Sequence, residues 1–322
     1  MTNKLTISQE SFLVDPKTRA IASLLLGVAI LATVPILVRL SENEISPNAV
    51  IFHRLWIAAI MLGLIKGLPI ISNKLFNIDN NIDNQIAPVE SYIRGKVGLL
   101  LATGIFFVGS QIGWAWSLVQ TSIANSALLH NFTPVFVTVA GFLLFNQRFD
   151  SRFIIGIIVG ISGSVILGLD DILYGTSKIQ GDVIAFISTF FLAIYLLLVE
   201  RIRNQLDTIT TLLCCSLIGT FATLPILLTN TDRIFPSSWL GWLALMGLGL
   251  SVVLGHGLIV YSLKCLPSEL VAVTMLLDPV FTAILAWAIF SETLDLYNLL
   301  AFITILVGTY LATTSPSAIK EK

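Results

Sequence analysis

The sequence predicts an all-α integral membrane protein of ten transmembrane helices, arranged as two inverted five-helix repeats. Three observations predict it: a composition foreign to soluble domains, a series of apolar runs of membrane length, and an internal similarity that turns over between the halves. Of 322 residues, 56% are hydrophobic and 11% charged, and the mean hydropathy is +0.91. Soluble domains carry about 45–50% apolar and about 25% charged residues. Eighteen Lys and Arg against nineteen Asp and Glu give a net charge of −1, which offers no basic face for nucleic acid. Cys214, Cys215 and Cys265 are odd in number and form no C-x-x-C pair; they read as small apolar packing residues, not as disulfides or a zinc site. No cofactor or metal is expected.

A helix needs about 20 mostly apolar residues to cross a hydrocarbon core about 30 Å thick. The first eighteen residues are polar and lack the character of a signal peptide. Ten runs of sufficient length follow, near residues 20–40, 47–66, 97–119, 122–145, 153–169, 181–200, 208–229, 239–262, 267–290 and 294–313. Short connections make neighbours antiparallel. The polar stretch 67–95, which holds Asn77 through Gln85, reads as a solvent-side loop.

Basic residues orient the chain, because cytoplasmic loops retain Lys and Arg. With the N-terminus inside, fourteen basic residues fall on the cytoplasmic side and only Arg39, Lys178 and Arg233 outside. The expected location is therefore the plasma (inner) membrane, multi-pass, with both termini cytoplasmic.

A shift of 145 residues superimposes part of the second half on the first: Pro134-Val135-Phe136 falls on Pro279-Val280-Phe281, Gly104 on Gly249, Asp150 on Asp295 and Gly163 on Gly308. Spans three to five thereby map onto spans eight to ten. Five is odd, so the second copy enters the membrane from the opposite face, the architecture of alternating access around a midplane site. The chain divides into a cytoplasmic segment 1–19, repeats 20–170 and 181–313, and a cytoplasmic tail 314–322. Gene duplication without transport is the alternative.

Three groups of residues carry further resemblance to a known family. Pro47 through Arg54 open span two with a proline-then-arginine pattern, and Phe190 through Tyr195 lead to Glu200-Arg201. Pro279 onward through Phe290-Ser291-Glu292 precedes span ten with Gly308; Gln147 stands at the matching place in the first half. In these features residues 20–313 resemble the EamA-type transporters of the drug/metabolite transporter superfamily. The resemblance implies two EamA-like five-helix repeats and an exporter of small metabolites, and says almost nothing of the substrate.

Ionisable groups at membrane depth cost about 2.5–3.5 kcal/mol on insertion scales and generally face a cavity or a partner. Asp278 is the deepest acid, about ten residues into span nine and directly before Pro279. The proline removes a backbone donor and releases a carbonyl there, so Asp278 is a candidate for coupling or gating, with a hydrogen-bonded structural role as the alternative. Arg54 is the second candidate, near the outer end of span two, as an anchor paired with Glu42 or Glu44, or as a gate. His53 beside it reads as a lipid-interface residue.

Candidate substrate-binding residues are Gln111, Trp114 and Trp116 on span three, and His130 and Asn131 before the helix-breaking Pro134 on span four. Tyr195 on span six and His256 and Tyr261 on span eight complete the set. Gln111 and His256 are repeat counterparts, as are Trp116 and Tyr261. Aromatic and amide groups around one carboxylate suit amino acids or amphipathic and cationic compounds; routine interhelical hydrogen bonding is the alternative for each residue alone. Asp278, His130 and His256 add protons as a candidate partner, besides the small-molecule substrate and the lipid bilayer, while association into a homodimer stays open. The expected function is a secondary transporter, not an enzyme. A channel or facilitator is the main rival, and a ligand-binding membrane sensor a weaker one.

Overall fold

Residues 15–42, 44–75, 83–121, 123–167, 179–229, 233–290 and 296–316 are described by the computed structural model. All regular structure among the described residues is helical. Among the described residues, nine helical segments are long and apolar enough to cross a membrane, and Ser151–Leu167 is a shorter apolar helix at the place of span five. The chain is thus a multi-pass integral membrane protein with ten helical spans.

Residues 1–14 and 317–322, Lys178 and Glu292 lie outside the described residues. The expected loop over 67–95 is narrower than its composition suggests: helices run Pro47–Leu75 and Asp83–Gln120, so only residues 76–82 remain between them. A helix that leaves the membrane continues through polar sequence, where hydropathy does not register it.

Four spans are irregular. Span one is Pro16–Leu31 followed by Val34–Glu42, span four is Ile123–His130 followed by Thr133–Phe145, and span nine is Ser268–Thr274 joined by the 3₁₀ turn Met275–Leu277 to Asp278–Phe290. Each second helix carries proline at its second residue: Pro35, Pro134 and Pro279. Proline lacks an N–H and clashes with the carbonyl four residues back, which ends the preceding helix. The carbonyl of His130, released by Pro134, accepts instead from the Thr133 hydroxyl at 2.6 Å. Span eight contains a π segment, Val252–His256, with no counterpart in the regular span three.

Packing between the halves obeys the repeat. Span three packs on span six and span eight on span one; spans two and seven, four and nine, and five and ten pack on each other. The five–ten crossing shows the relation at atomic scale. A Cβ on Gly308 would lie 2.2 Å from the Gly160 nitrogen, and one on Gly163 would lie 2.8 Å from the Ile305 nitrogen. Under the shift of 145, Gly163 becomes Gly308 and Gly160 becomes Ile305, so the two close approaches are one contact seen twice. Small residues let backbones meet where lipid supplies no hydrophobic drive. Phe142, Leu143, Ile303 and Tyr310 lie on the exposed perimeter, as side chains facing acyl chains do.

Candidate functional site

The three broken spans meet around one cavity of about 440 Å3. Its walls include the carbonyl-releasing residues Leu31, His130 and Met275, and all three prolines, Pro35, Pro134 and Pro279. Interrupting a helix at membrane depth exposes backbone polar groups, which is tolerated where they face a cavity. The sequence breaks its helices where the cavity is, which makes the cavity the candidate site.

Of the twelve residues singled out on sequence grounds, nine line this cavity: Arg54, Gln111, Trp114, His130, Asn131, Pro134, His256, Asp278 and Pro279. Arg54 is 6% exposed, and its Nη1 donates to Gln111 Oε1 at 2.9 Å. Gln111 Nε2 in turn lies 3.5 Å from His256 Nε2, whose ring stands edge-on to Phe107. The guanidinium therefore sits at the wall, held by an amide and with its Nε hydrogen-bonded to none of the described residues. Asp278 starts the second helix of span nine, with Oδ1 buried and without a hydrogen-bond partner among the described residues. Arg54 and Asp278 thus put opposite charges on the walls of one cavity, whose lining apart from Arg39 is mostly apolar, aromatic, amide and hydroxyl groups. Asn131 Nδ2 donates to Ser164 Oγ at 3.0 Å, and Trp114 stacks edge-on to His130.

The remaining three lie elsewhere. Trp116 is on the opposite flank of its helix, 39% exposed, and donates to Asn48 Oδ1 at 2.7 Å. Tyr261, two residues beyond Ile259, is also exposed. Tyr195 is fully buried and tilted against Phe107, away from the cavity lining. Glu44 is not Arg54's partner: its carboxylate accepts from the Ser237 and Ser238 amides at 2.8 and 2.9 Å, at the start of span eight. His53 is not at the lipid interface but 0% exposed. Its Nδ1 accepts from Trp56 Nε1 at 2.8 Å, which leaves the proton on Nε2 to donate to Ile234 O at 2.9 Å. Phe235 and Trp242 enclose the ring.

Arg39 joins the lining at the far end of span one, although its position at the close of an apolar run marks it only as a topology signal. Pro35, four residues earlier, is the readable sign: it repeats the break-and-proline pattern of spans four and nine. The cavity extends from His256 and Met275 to this exposed arginine, so the Arg39 face is the open one. On the opposite face, Glu200 Oε2 accepts from the Ser268 amide and hydroxyl.

The sequence matches the EamA-like transporter family twice, over residues 18–169 and 179–314. The chain belongs to this family. Its two matches fall on the two halves that pack symmetrically. The chain is also similar to an uncharacterized transporter of Archaeoglobus fulgidus, 27% identical over 203 residues, which covers 61% of this chain and 69% of that one. A protein of known crystal structure shares the fold with a TM-score of 0.71, at 15% identity, over 95% of this chain and all of the other. The chain is a transporter by family.

Proposed function

We propose that this protein is a secondary transporter that exports small zwitterionic metabolites, amino acids foremost, by alternating access coupled to protons. The observation that carries the reading is the pairing of Arg54 and Asp278 on the walls of one cavity. A guanidinium is a fixed fork for a substrate carboxylate, and an unpartnered carboxylate receives an ammonium or a proton. A cavity of about 440 Å3 falls in the range of small-molecule sites. The apolar stretch between the two poles, with Trp114, Leu192 and Met275, suits an amphipathic body.

Export with protons follows from competition. A proton and a substrate amine both seek Asp278 and exclude each other, so the carrier returns from one face protonated and from the other loaded. The charge distribution of the sequence supports an inner-membrane protein with both termini and the Glu200 face cytoplasmic, the Arg39 face outside. Cationic amphipaths lacking a carboxylate engage the Asp278 pole alone and are secondary substrates.

Proteoliposomes test the reading. Labelled amino acids should show saturable counterflow, and an imposed pH gradient should accelerate uptake in the wild type but not in Asp278→Asn. Rates indifferent to both gradient and substitution would remove Asp278 from coupling. Single-channel currents in place of counterflow would replace the carrier by a channel.

A further inference from the structure

The cavity residues fall into two groups once each is paired with its counterpart in the other repeat. The shift is 145 for spans three to five. For spans one and two it is 161, because Pro47 and Thr208 begin spans two and seven, each preceded by a capping side chain, Ser46 and Asp207. In the first group both counterparts line the cavity: Gln111 with His256, Thr133 with Asp278, Pro134 with Pro279. These mark the midplane. In the second group only the Arg39-face member does. Val34, Leu118 and Ala283 line the cavity, whereas their counterparts Tyr195, Leu263 and Thr138 are 0%, 0% and 7% exposed.

Two of these buried counterparts carry hydroxyls that the fold leaves idle. Tyr195 Oη and Thr138 Oγ1 are buried without a hydrogen-bond partner among the described residues. Such groups are disfavoured unless another state of the protein satisfies them. A clasp closes the same end. Glu200 accepts from the Ser268 amide at 3.2 Å and hydroxyl at 2.5 Å, while Arg203 Nη1 donates to the carbonyls of Leu263 and, at 2.9 Å, Leu266. Acid on the amide and base on the carbonyls fasten the turn between spans eight and nine to the end of span six. The repeat counterparts of Glu200 and Arg203 are Arg39 and Glu42, with the charges exchanged. An arginine cannot accept from an amide and a glutamate cannot donate to a carbonyl. Among the described residues a clasp of this polarity is found on the Glu200 face.

We propose that Tyr195, Thr138 and Leu263 line a second vestibule on the Glu200 face. It is shut in this conformation and opens as the Arg39-face vestibule closes. The Tyr195 and Thr138 hydroxyls are its hydrogen-bonding groups for solute and water, and the Glu200–Arg203 clasp holds it shut. The inference rests on the alternating access argued above, and it assigns which residues the solute meets at the other face.

The test uses the full chain with Cys214, Cys215 and Cys265 replaced by alanine. Thr138→Cys and Thr282→Cys are introduced singly, in oriented vesicles treated with a membrane-impermeant thiol reagent from either face. Combining each with Glu200→Gln and Arg203→Gln should raise Thr138→Cys labelling from the Glu200 face about tenfold, as a minor state gains population. Thr282→Cys labelling from the Arg39 face should fall in the same background, by the fraction of the population that has moved. Folding of the clasp variant is read separately, from its thermal midpoint in detergent by tryptophan fluorescence, and labelling is compared only where that midpoint shows a cooperative transition. Unchanged reactivity at both positions overturns the vestibule. If counterflow persists in that case, the transport reading stands without it. If both positions gain reactivity together, the two faces open at once, and alternating access fails along with the vestibule.

Discussion

Gln111 and His256 are 145 residues apart, the shift that superimposes spans three to five on spans eight to ten, and their side chains approach to 3.5 Å. Residues related by a twofold operation can meet only on its axis, so the pseudo-twofold axis passes between them. Arg54 hangs on that pair through Gln111 Oε1 at 2.9 Å. The central charge of the cavity is thus positioned by a counterpart pair that sits on the axis relating the repeats.

Replacing Gln111 by leucine should strand the guanidinium. A buried charged donor that loses its acceptor costs about 1–3 kcal/mol or more. The variant should unfold at lower temperature in detergent, as read by tryptophan fluorescence. Gln111→Glu restores an acceptor and should recover the fold. It also neutralises the positive pole, so transport of carboxylate-bearing substrates should remain lost. Recovery of both would separate Arg54 from substrate binding.

Arg54→Gln probes the pole directly. A transporter that grips a carboxylate through Arg54 should show KM raised by about tenfold or more for an amino acid, since charged hydrogen bonds contribute about 1.5–3 kcal/mol. The corresponding decarboxylated amine should change by less than about twofold, because the contact it lacks cannot be lost. Initial rates in proteoliposomes at fixed pH measure both. Equal losses for the two compounds would point to a role in the fold.

The crossing of spans five and ten predicts a contrast between two glycines. Gly308→Ala sets a Cβ 2.2 Å from the Gly160 nitrogen, and backbone cannot step aside as a side chain tip can. Overpacking of this kind costs about 1–3 kcal/mol. Gly257→Ala meets only Leu212 Cδ1, at 3.7 Å, an ordinary contact, and its backbone is right-handed helical with φ −58°. It should be neutral or stabilising by up to about 1 kcal/mol through reduced freedom of the unfolded chain. Thermal midpoints of the two variants side by side decide the point.

The spans and their repeat were legible in the sequence because both are one-dimensional signals: hydropathy over about 20 residues, and a proline triplet recurring at a constant shift. Pro134 and Pro279 announced two of the three breaks that line the cavity. Pro35 has the same consequence, but the register of spans three to five does not extend to span one. Rotation about the helix axis was not legible. Trp114 and Trp116 are neighbours of equal chemistry, yet one lines the cavity and the other bonds Asn48 on the flank. Hydropathy is nearly uniform around these helices, so nothing in the sequence distinguishes their faces. Partner choice failed for the same reason. Glu44 is near Arg54 along the chain, but its carboxylate caps span eight, and the partner of Arg54 comes from a helix 57 residues away.

The Glu44 cap gives the pH dependence its sign. Its carboxyl lies below the ordinary range because the Ser238 hydroxyl and amide, then the Ser237 amide, donate to the charged form, against a smaller opposing effect of desolvation. A group whose folded value is depressed contributes stability that is complete above the ordinary glutamate value of about 4.3. That contribution is lost as pH falls through the lower folded value. Glu44→Gln should therefore unfold below the wild type at pH 7, and the difference should shrink between about pH 5 and pH 3. Ser238→Ala removes both the principal donor to Glu44 and the cap on the Gly241 amide at 3.0 Å. It should lower the midpoint at every pH, by about 1 kcal/mol for the cap alone, with an added loss above pH 5 where Glu44 is ionised. A wild-type midpoint that rises on acidification relative to Glu44→Gln would reverse the sign and remove the carboxylate from the cap.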